Sequence, residues 1–123
     1  MENQESSNQT LSGFVHVFDR IDQPIIITTA RNKENKPKIV YVNDAFENIS
    51  GYKLYELIGK SPKIFQGKLS AKSEMKPTRG AERQSWLTVN YRKNGSHYPA
   101  EVCITSIQLN NENVYQVGTI KVL

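Results

Sequence analysis

Cysteine is nearly absent from this chain: Cys103 stands alone among 123 residues. One thiol permits no internal disulfide and no cysteine-rich metal site, and it points to a reducing, cytoplasmic setting. No apolar run approaches the roughly 18–20 residues that cross a bilayer, so direct membrane insertion is not expected. The leader MENQESSNQT lacks the basic and apolar regions of a signal peptide. There is no glycine-rich phosphate loop, no nucleophile–base pair and no carboxylate dyad, so no catalytic activity is expected. Internal repeats and low-complexity tracts are missing too.

What remains is the composition of an ordinary folded domain. A hydrophobic share of 37% and a charged share of 23% exclude a mostly disordered chain. The length allows one core and not two. The net charge of +4 raises the question of nucleic acid. The basic residues are scattered, however, and their densest groups, RNKENKPK and YRKNG, are flanked by turn formers. A nucleic-acid footprint would concentrate them on one element or face, so none is expected.

Residues 1–10 read as a flexible leader, and residues 11–123 as a single domain made of a cap helix over 11–21 and a core over 22–123. Leu11, Phe14, Val15, Phe18 and Ile21 fall at helical spacing and make that helix amphipathic. Pro24 ends it. PIIITT and IVYV then read as two strands close enough to pair as a hairpin. Asn43 or Asp44 caps a short helix that Gly51 stops, and KLYELIG is a second short helix closed by Gly59. KSPKIFQG is irregular or a single turn, and a weak helix is expected over Ala71 to Lys76. The last third holds three strand-like runs, the first two joined by an Asn-Gly turn that is a strong hairpin signal. The order predicts an α+β fold: a five-stranded antiparallel sheet with short helices over one face.

A sheet covered by short helices rather than one long helix encloses a small cavity of the kind that binds ligands. Ile26, Val42, Phe46, Ile49, Leu57, Ile58, Ile64 and Phe65 are the expected walls. Gln66, Asn90 and Thr88 are the candidate polar groups. A tightly filled core with no cavity satisfies the same residues.

Two blocks, IVYVNDAFENISGYKLYELIGKSPKIFQG and NYRKNGSHYPAEV, followed by YQVGTI, resemble a PAS domain, the sensory module of bacterial signalling proteins. The resemblance spans about Leu11 to Leu123. It implies the same sheet, cytoplasmic sensing, frequent homodimerisation, and a histidine kinase or cyclic-dinucleotide effector in the full-length protein. GKSPKIFQ is similar to the segment G-R-N-C-R-F-L-Q of light-oxygen-voltage flavin domains. Gly59, Lys63 and Gln66 match it, but the photoreactive cysteine position is Pro62 and the preceding Asn is Ser61. Proline has no thiol to add to a flavin ring, so adduct photochemistry is not expected. Asn90 matches a flavin-contacting Asn, whereas a second such Asn corresponds to Ala100 and a terminal Gln to Ile120.

The ligand or cofactor is therefore open: none, or a flavin (FAD or FMN) acting as a redox group beside Trp86. Haem needs an axial ligand facing the pocket, and neither His16 nor His97 is placed for it. Candidate binding residues are Asn90, Gln66, Lys63, Trp86, Phe46 and Ile64. Each has a plain structural alternative: a strand or loop tie for the amides, an exposed loop position for Lys63, sheet packing for Trp86. Period-2 alternation turns Glu101 and Cys103 away from the face that holds Ala100 and Val102. Leu11, Phe14, Val15, Phe18 and Ile21 are candidates for a dimer contact, or for covering the sheet within one subunit. The function expected is sensing of a small ligand or redox state, relayed to an effector domain. The alternative is a ligand-free module that works by dimerisation.

Overall fold

The computed structural model describes residues 13, 15–30, 36–72, 83–108 and 114–123, with 71 and 72 as backbone only. Five strands form one antiparallel sheet: β1 (Ile25–Thr29), β2 (Ile39–Val42), β3 (Arg83–Tyr91), β4 (His97–Gln108) and β5 (Val114–Val122). Their spatial order is β2-β1-β5-β4-β3. Between β2 and β3 lie helix α1 (Asp44–Ser50), helix α2 (Leu54–Leu57) and two 3₁₀ turns, Pro62–Phe65 and Lys68–Lys72. This is the α+β arrangement expected from the order of strand and helix signals.

Local chemistry explains each boundary. Asn43 caps α1, its side chain accepting the Phe46 N–H at 3.0 Å. Gly51 ends the helix in the left-handed region at φ +80°, with its N–H bonded to the Glu47 carbonyl. The Glu47 carboxylate then accepts the Leu54 N–H at 2.6 Å, tying the start of α2 to α1. Lys53 supplies no side-chain cap. Instead Glu56 accepts the Lys53 N–H at 2.9 Å. Pro62 opens the first 3₁₀ turn, where its missing N–H costs nothing. Of the helix expected over Ala71 to Lys76, only residues 71 and 72 are described, and they close the second 3₁₀ turn.

Two apolar clusters sit on opposite faces of the sheet. The inner one gathers Ile26, Ile39, Val42, Phe46, Leu57, Phe65, Tyr98, Ala100, Val102 and Ile120 under the short helices. The outer one gathers Ile25, Ile27 and Tyr41, against which Val15 and Phe18 pack. The register shift between Ile27 and Thr28 sorts β2: it leaves Ile39 and Val42 inside and turns Val40 and Tyr41 outward.

The N-terminal segment thus covers the outer face of its own subunit through Val15 and Phe18. Leu11 and Phe14 lie outside the described residues. Residues 15–18 are helical, a turn follows at 19 and 20, and Ile21 is 37% exposed rather than on a helical stripe. The segment that follows the helix is held by β2 and the α1 cap. The Asn43 side-chain amide donates to the carbonyls of Phe18, Ile21 and Gln23, and the Tyr41 hydroxyl donates to the Asp19 carboxylate.

The β3–β4 hairpin turn is clasped to the helices. The Lys93 N–H donates to Ser50 at 2.9 Å, and the Lys93 ammonium meets the Glu56 carboxylate at 2.5 Å. The Lys53 N–H, and then Lys93, hold the Glu56 carboxyl below its ordinary value of 4.5. A carboxyl lowered in the folded state stabilises above its unfolded value and loses that contribution as the pH falls. Glu56→Gln is therefore expected to lower stability slightly in the neutral region, where the ionised carboxylate contributes, and to converge with wild type below about pH 4.5, so that the acid limb of its stability–pH curve is flatter. Urea melts at a series of pH values check this.

Candidate functional site

Between the inner face of the sheet and its helical cover is a cavity of about 230 Å³. The sheet provides its floor. Trp86, Val102 and Ile104 contribute the apolar middle, and Ile26 and Gly118 continue it onto β1 and β5. Gly118 is paired with Ile26 on one side and Ile104 on the other. A Cβ there would stand 3.0 Å from Ile26 Cγ2, so the missing side chain keeps the floor open. The cover contributes Phe46, Pro62, Phe65 and Gln66, and Pro37 closes one end.

The polar lining groups fall at two ends of the strand register. Thr88 and Asn90 lie toward the β3–β4 hairpin, and Thr28 and Gln116 toward the other end. Thr28 and Gln116 are direct cross-strand partners, which places their side chains on one face. Among the described residues no ionisable side chain lines this cavity. An uncharged surface of this kind, apolar with a few convergent amides and hydroxyls, binds by shape and hydrogen bonding rather than by ion pairing.

The candidates named from sequence are distributed as follows. Asn90, Gln66, Trp86, Phe46 and Thr88 all line the cavity, with Asn90 and Phe46 buried, Trp86 and Thr88 half-buried and Gln66 exposed at the rim. Ile64 is half-buried and packs against the inner cluster without lining the cavity. Lys63 does not line it either: it is exposed, because the 3₁₀ turn points Phe65 inward and Lys63 outward. Ile58, expected as a wall, is 57% exposed, since α2 ends there and its backbone turns to ψ 129°. Val42 and Leu57 belong to the packed core beside the cavity, with Ile49 packed against that core. Sequence reasoning missed Thr28, Pro37, Ile104, Gln116 and Gly118, whose placement depends on register across strands. For the strand residues, parity within β1, β4 and β5 was the available signal; Pro37 precedes β2 and carried none.

Pro62, which the sequence resemblance aligns with a photoreactive cysteine, lines the cavity. Cys103 is half-buried on the opposite face, with Arg83 Nε donating to its Sγ at 2.9 Å. Glu101 shares its parity, while Val102 faces the cavity. His16 and His97 are exposed and outside the lining.

The chain belongs to the PAS domain family, whose model matches residues 22–121. It is 38% identical over 98 residues to a blue-light photoreceptor of Listeria innocua serovar 6a, covering 76% of this chain and 38% of that protein. It is 25% identical over 114 residues to a blue-light-activated histidine kinase of Brucella anthropi, covering 89% of this chain and 23% of that one. The chain therefore spans under two-fifths of the length of either relative. Among solved structures, a light-oxygen-voltage protein of Rhodobacter sphaeroides superposes with a TM-score of 0.73 at 14% identity, covering 94% of this chain and 67% of that one. That likeness establishes the fold. Among the described residues, no helix is long and apolar enough to cross a membrane.

Proposed function

We propose that this chain is the sensory module of a cytoplasmic signalling protein, holding a small ligand in its inner cavity and relaying occupancy or redox state to an effector domain. The observation that carries this is the cavity itself: about 230 Å³, apolar through its middle, with amides and hydroxyls at both ends. The relatives named as photoreceptors and histidine kinases support a kinase-type output in the full-length protein. The domain acts as a non-enzymatic switch and works as a homodimer, in which a change at the sheet shifts the packing of the N-terminal segment between two arrangements.

A flavin is the leading candidate cofactor. Asn90 and Gln66 would hold the ring edge and Trp86 would lie beside it. When bound, a flavin supplies a redox-active ring. The residues present fit only part of that role. Ala100 and Ile120, where two further amides are expected, are buried at 0% and 4% in the packed core. Pro62 offers no thiol, and the chain's single cysteine sits on the far face. Redox sensing without a cysteinyl adduct is the consequence.

A second reading, a ligand-free dimerisation module, draws on one fact. Among the described residues no buried polar side-chain atom lacks a hydrogen-bond partner. One measurement separates the two. Native mass spectrometry of purified protein is expected to show a bound small molecule, and absorption bands identify it as flavin or exclude flavin. A colourless protein with the mass of the bare chain supports the dimerisation reading instead. If flavin is present, blue light is expected to leave the spectrum without the bleaching that a thiol adduct produces. Reversible bleaching would overturn the role given to Pro62.

A further inference from the structure

At the end of the cavity away from the β3–β4 hairpin, the sheet presents two polar side chains that the fold itself does not use. Thr28 and Gln116 face each other across the β1–β5 ladder, and both line the cavity. Among the described residues neither side chain has a hydrogen-bond partner within the protein. Their polar atoms open onto the cavity instead, since no described side-chain N or O is both fully buried and unpaired. Thr29, one residue on and turned the other way, shows the contrast: its hydroxyl accepts the Lys38 N–H at 3.0 Å. Thr28 is only 7% exposed, its strand is held between β2 and β5, and its β-branched side chain has little freedom to turn. Pro37 closes this end and has no side-chain group to pair with either residue.

A hydroxyl or amide that a ligand covers without pairing loses its water and gains nothing in return. The cavity holds such groups at both ends, with Trp86, Val102 and Ile104 between them. An ordinary flavin ring does not match that pattern. One of its edges carries two carbonyls and an N–H, while the opposite edge carries two methyl groups. Whichever way such a ring enters, one polar end of the cavity meets methyl groups. With Asn90 and Gln66 on the carbonyl edge, the mismatch falls on Thr28 and Gln116. The described lining also holds no charge to compensate one on a ligand. We propose that Thr28 and Gln116 determine specificity, selecting a flat ring ligand, uncharged within the cavity, that carries a hydrogen-bonding group at this end rather than methyl groups. This deepens the ligand-sensing reading and rests on it.

Riboflavin and 8-amino-8-demethylriboflavin differ at one ring position, where a methyl group is exchanged for an amino group of nearly the same size. Each is titrated calorimetrically into wild-type, Gln116→Leu and Thr28→Val protein dialysed free of small molecules. Wild type is expected to bind the amino compound more tightly by about 10-fold or more, the factor that one unpaired covered group represents. Gln116→Leu is expected to bring that preference below about threefold, because leucine accepts a methyl group and offers nothing to an amine. Thr28→Val, which keeps the shape and removes the hydroxyl, is expected to reduce it as well. Equal binding by wild type, or tighter binding of riboflavin, would remove the requirement at this end. A preference that persists in both variants would place the amino group elsewhere and end the role of these residues. Thermal melts give a check that needs no ligand. Since the Gln116 amide supports no other group, Gln116→Leu is expected to leave Tm unchanged or raise it. A fall of more than about 5 °C would make the amide a structural tie and overturn the proposal. If a small molecule co-purifies but wild type shows no preference for the amino compound, this inference fails and ligand sensing stands. If nothing co-purifies and neither compound binds, both fail.

Discussion

Replacing Asn43 by alanine is expected to lower the stability of this domain by on the order of 3–5 kcal/mol. Asn43 is fully buried, and its one side chain serves three separate pieces of the fold. Its carbonyl oxygen accepts the N–H groups of Ile25 at 2.9 Å and Phe46 at 3.0 Å, joining the start of β1 to the first turn of α1. Its amide nitrogen donates to Gln23 at 2.9 Å, Phe18 at 3.0 Å and Ile21 at 3.3 Å, closing the N-terminal segment over the sheet. Alanine removes the helix cap, worth about 1 kcal/mol, and leaves buried donors and acceptors without partners at about 1–3 kcal/mol each. Against the 5–15 kcal/mol typical of a whole domain this is a large fraction. A fall in Tm on the order of 10–20 °C is the corresponding thermal signature.

Asn43→Asp sharpens the test. It preserves both accepted bonds but points a carboxylate oxygen at three carbonyls. At neutral pH it is expected to destabilise at least as much as alanine. Burial and the carbonyls raise such a carboxyl in the folded state, so its penalty is present at high pH and eases as the pH falls. If urea melts showed either variant within about 1 kcal/mol of wild type, the bridging role would be wrong.

Phe46→Ala is expected to cost about 3–5 kcal/mol, with Phe46→Leu costing nearer 1. Phe46 is 2% exposed and meets the Phe65 ring edge-on, with centroids 5.1 Å apart, while Phe65 meets Tyr52 in the same way at 5.9 Å. Ring pairs in this geometry add about 0.5–1.5 kcal/mol to the burial of each ring. Because Phe46 also lines the cavity, its removal joins the vacated ring space to the existing 230 Å³. Both stability and the size of ligand admitted should therefore change in one variant. A loose lid would give a different result, with ligand binding altered and stability changed by less than about 1 kcal/mol. Equilibrium unfolding with and without the bound molecule distinguishes the two.

Much of this architecture was legible in the residues. IIITT and IVYV are β-branched runs of the kind strands favour, Asn43 and Gly51 bracket a seven-residue helix as caps should, and Asn94-Gly95 sets a hairpin with Gly95 at φ +90°. Given that hairpin, the pairing of Asn90 with Tyr98 follows by counting back from the turn. Ile58 was misjudged, and Lys63 had two open readings of which the exposed one holds, because a one-turn segment has no period long enough to declare which side faces inward. Gln116 was overlooked for a related reason. A glutamine in mid-strand is equally at home on either face, and only the pairing of β5 with β1 decides.

Local chemistry along the chain therefore determined the number of strands, their limits and the parity within each one, since these depend on neighbours a few residues apart. The sequence alone also turned the single thiol, Cys103, away from the face that holds Val102, through the period of two along β4. The tertiary structure alone decided how parities combine across strands, including the register shift at Thr28 that sorts β2 between the two faces. It placed Thr28 beside Gln116 and left room above Gly118. It also showed that Asn43, readable as a helix cap, is the point where three segments meet. Such contacts join residues 18 to 25 positions apart, and their energy depends on distances that no local pattern encodes.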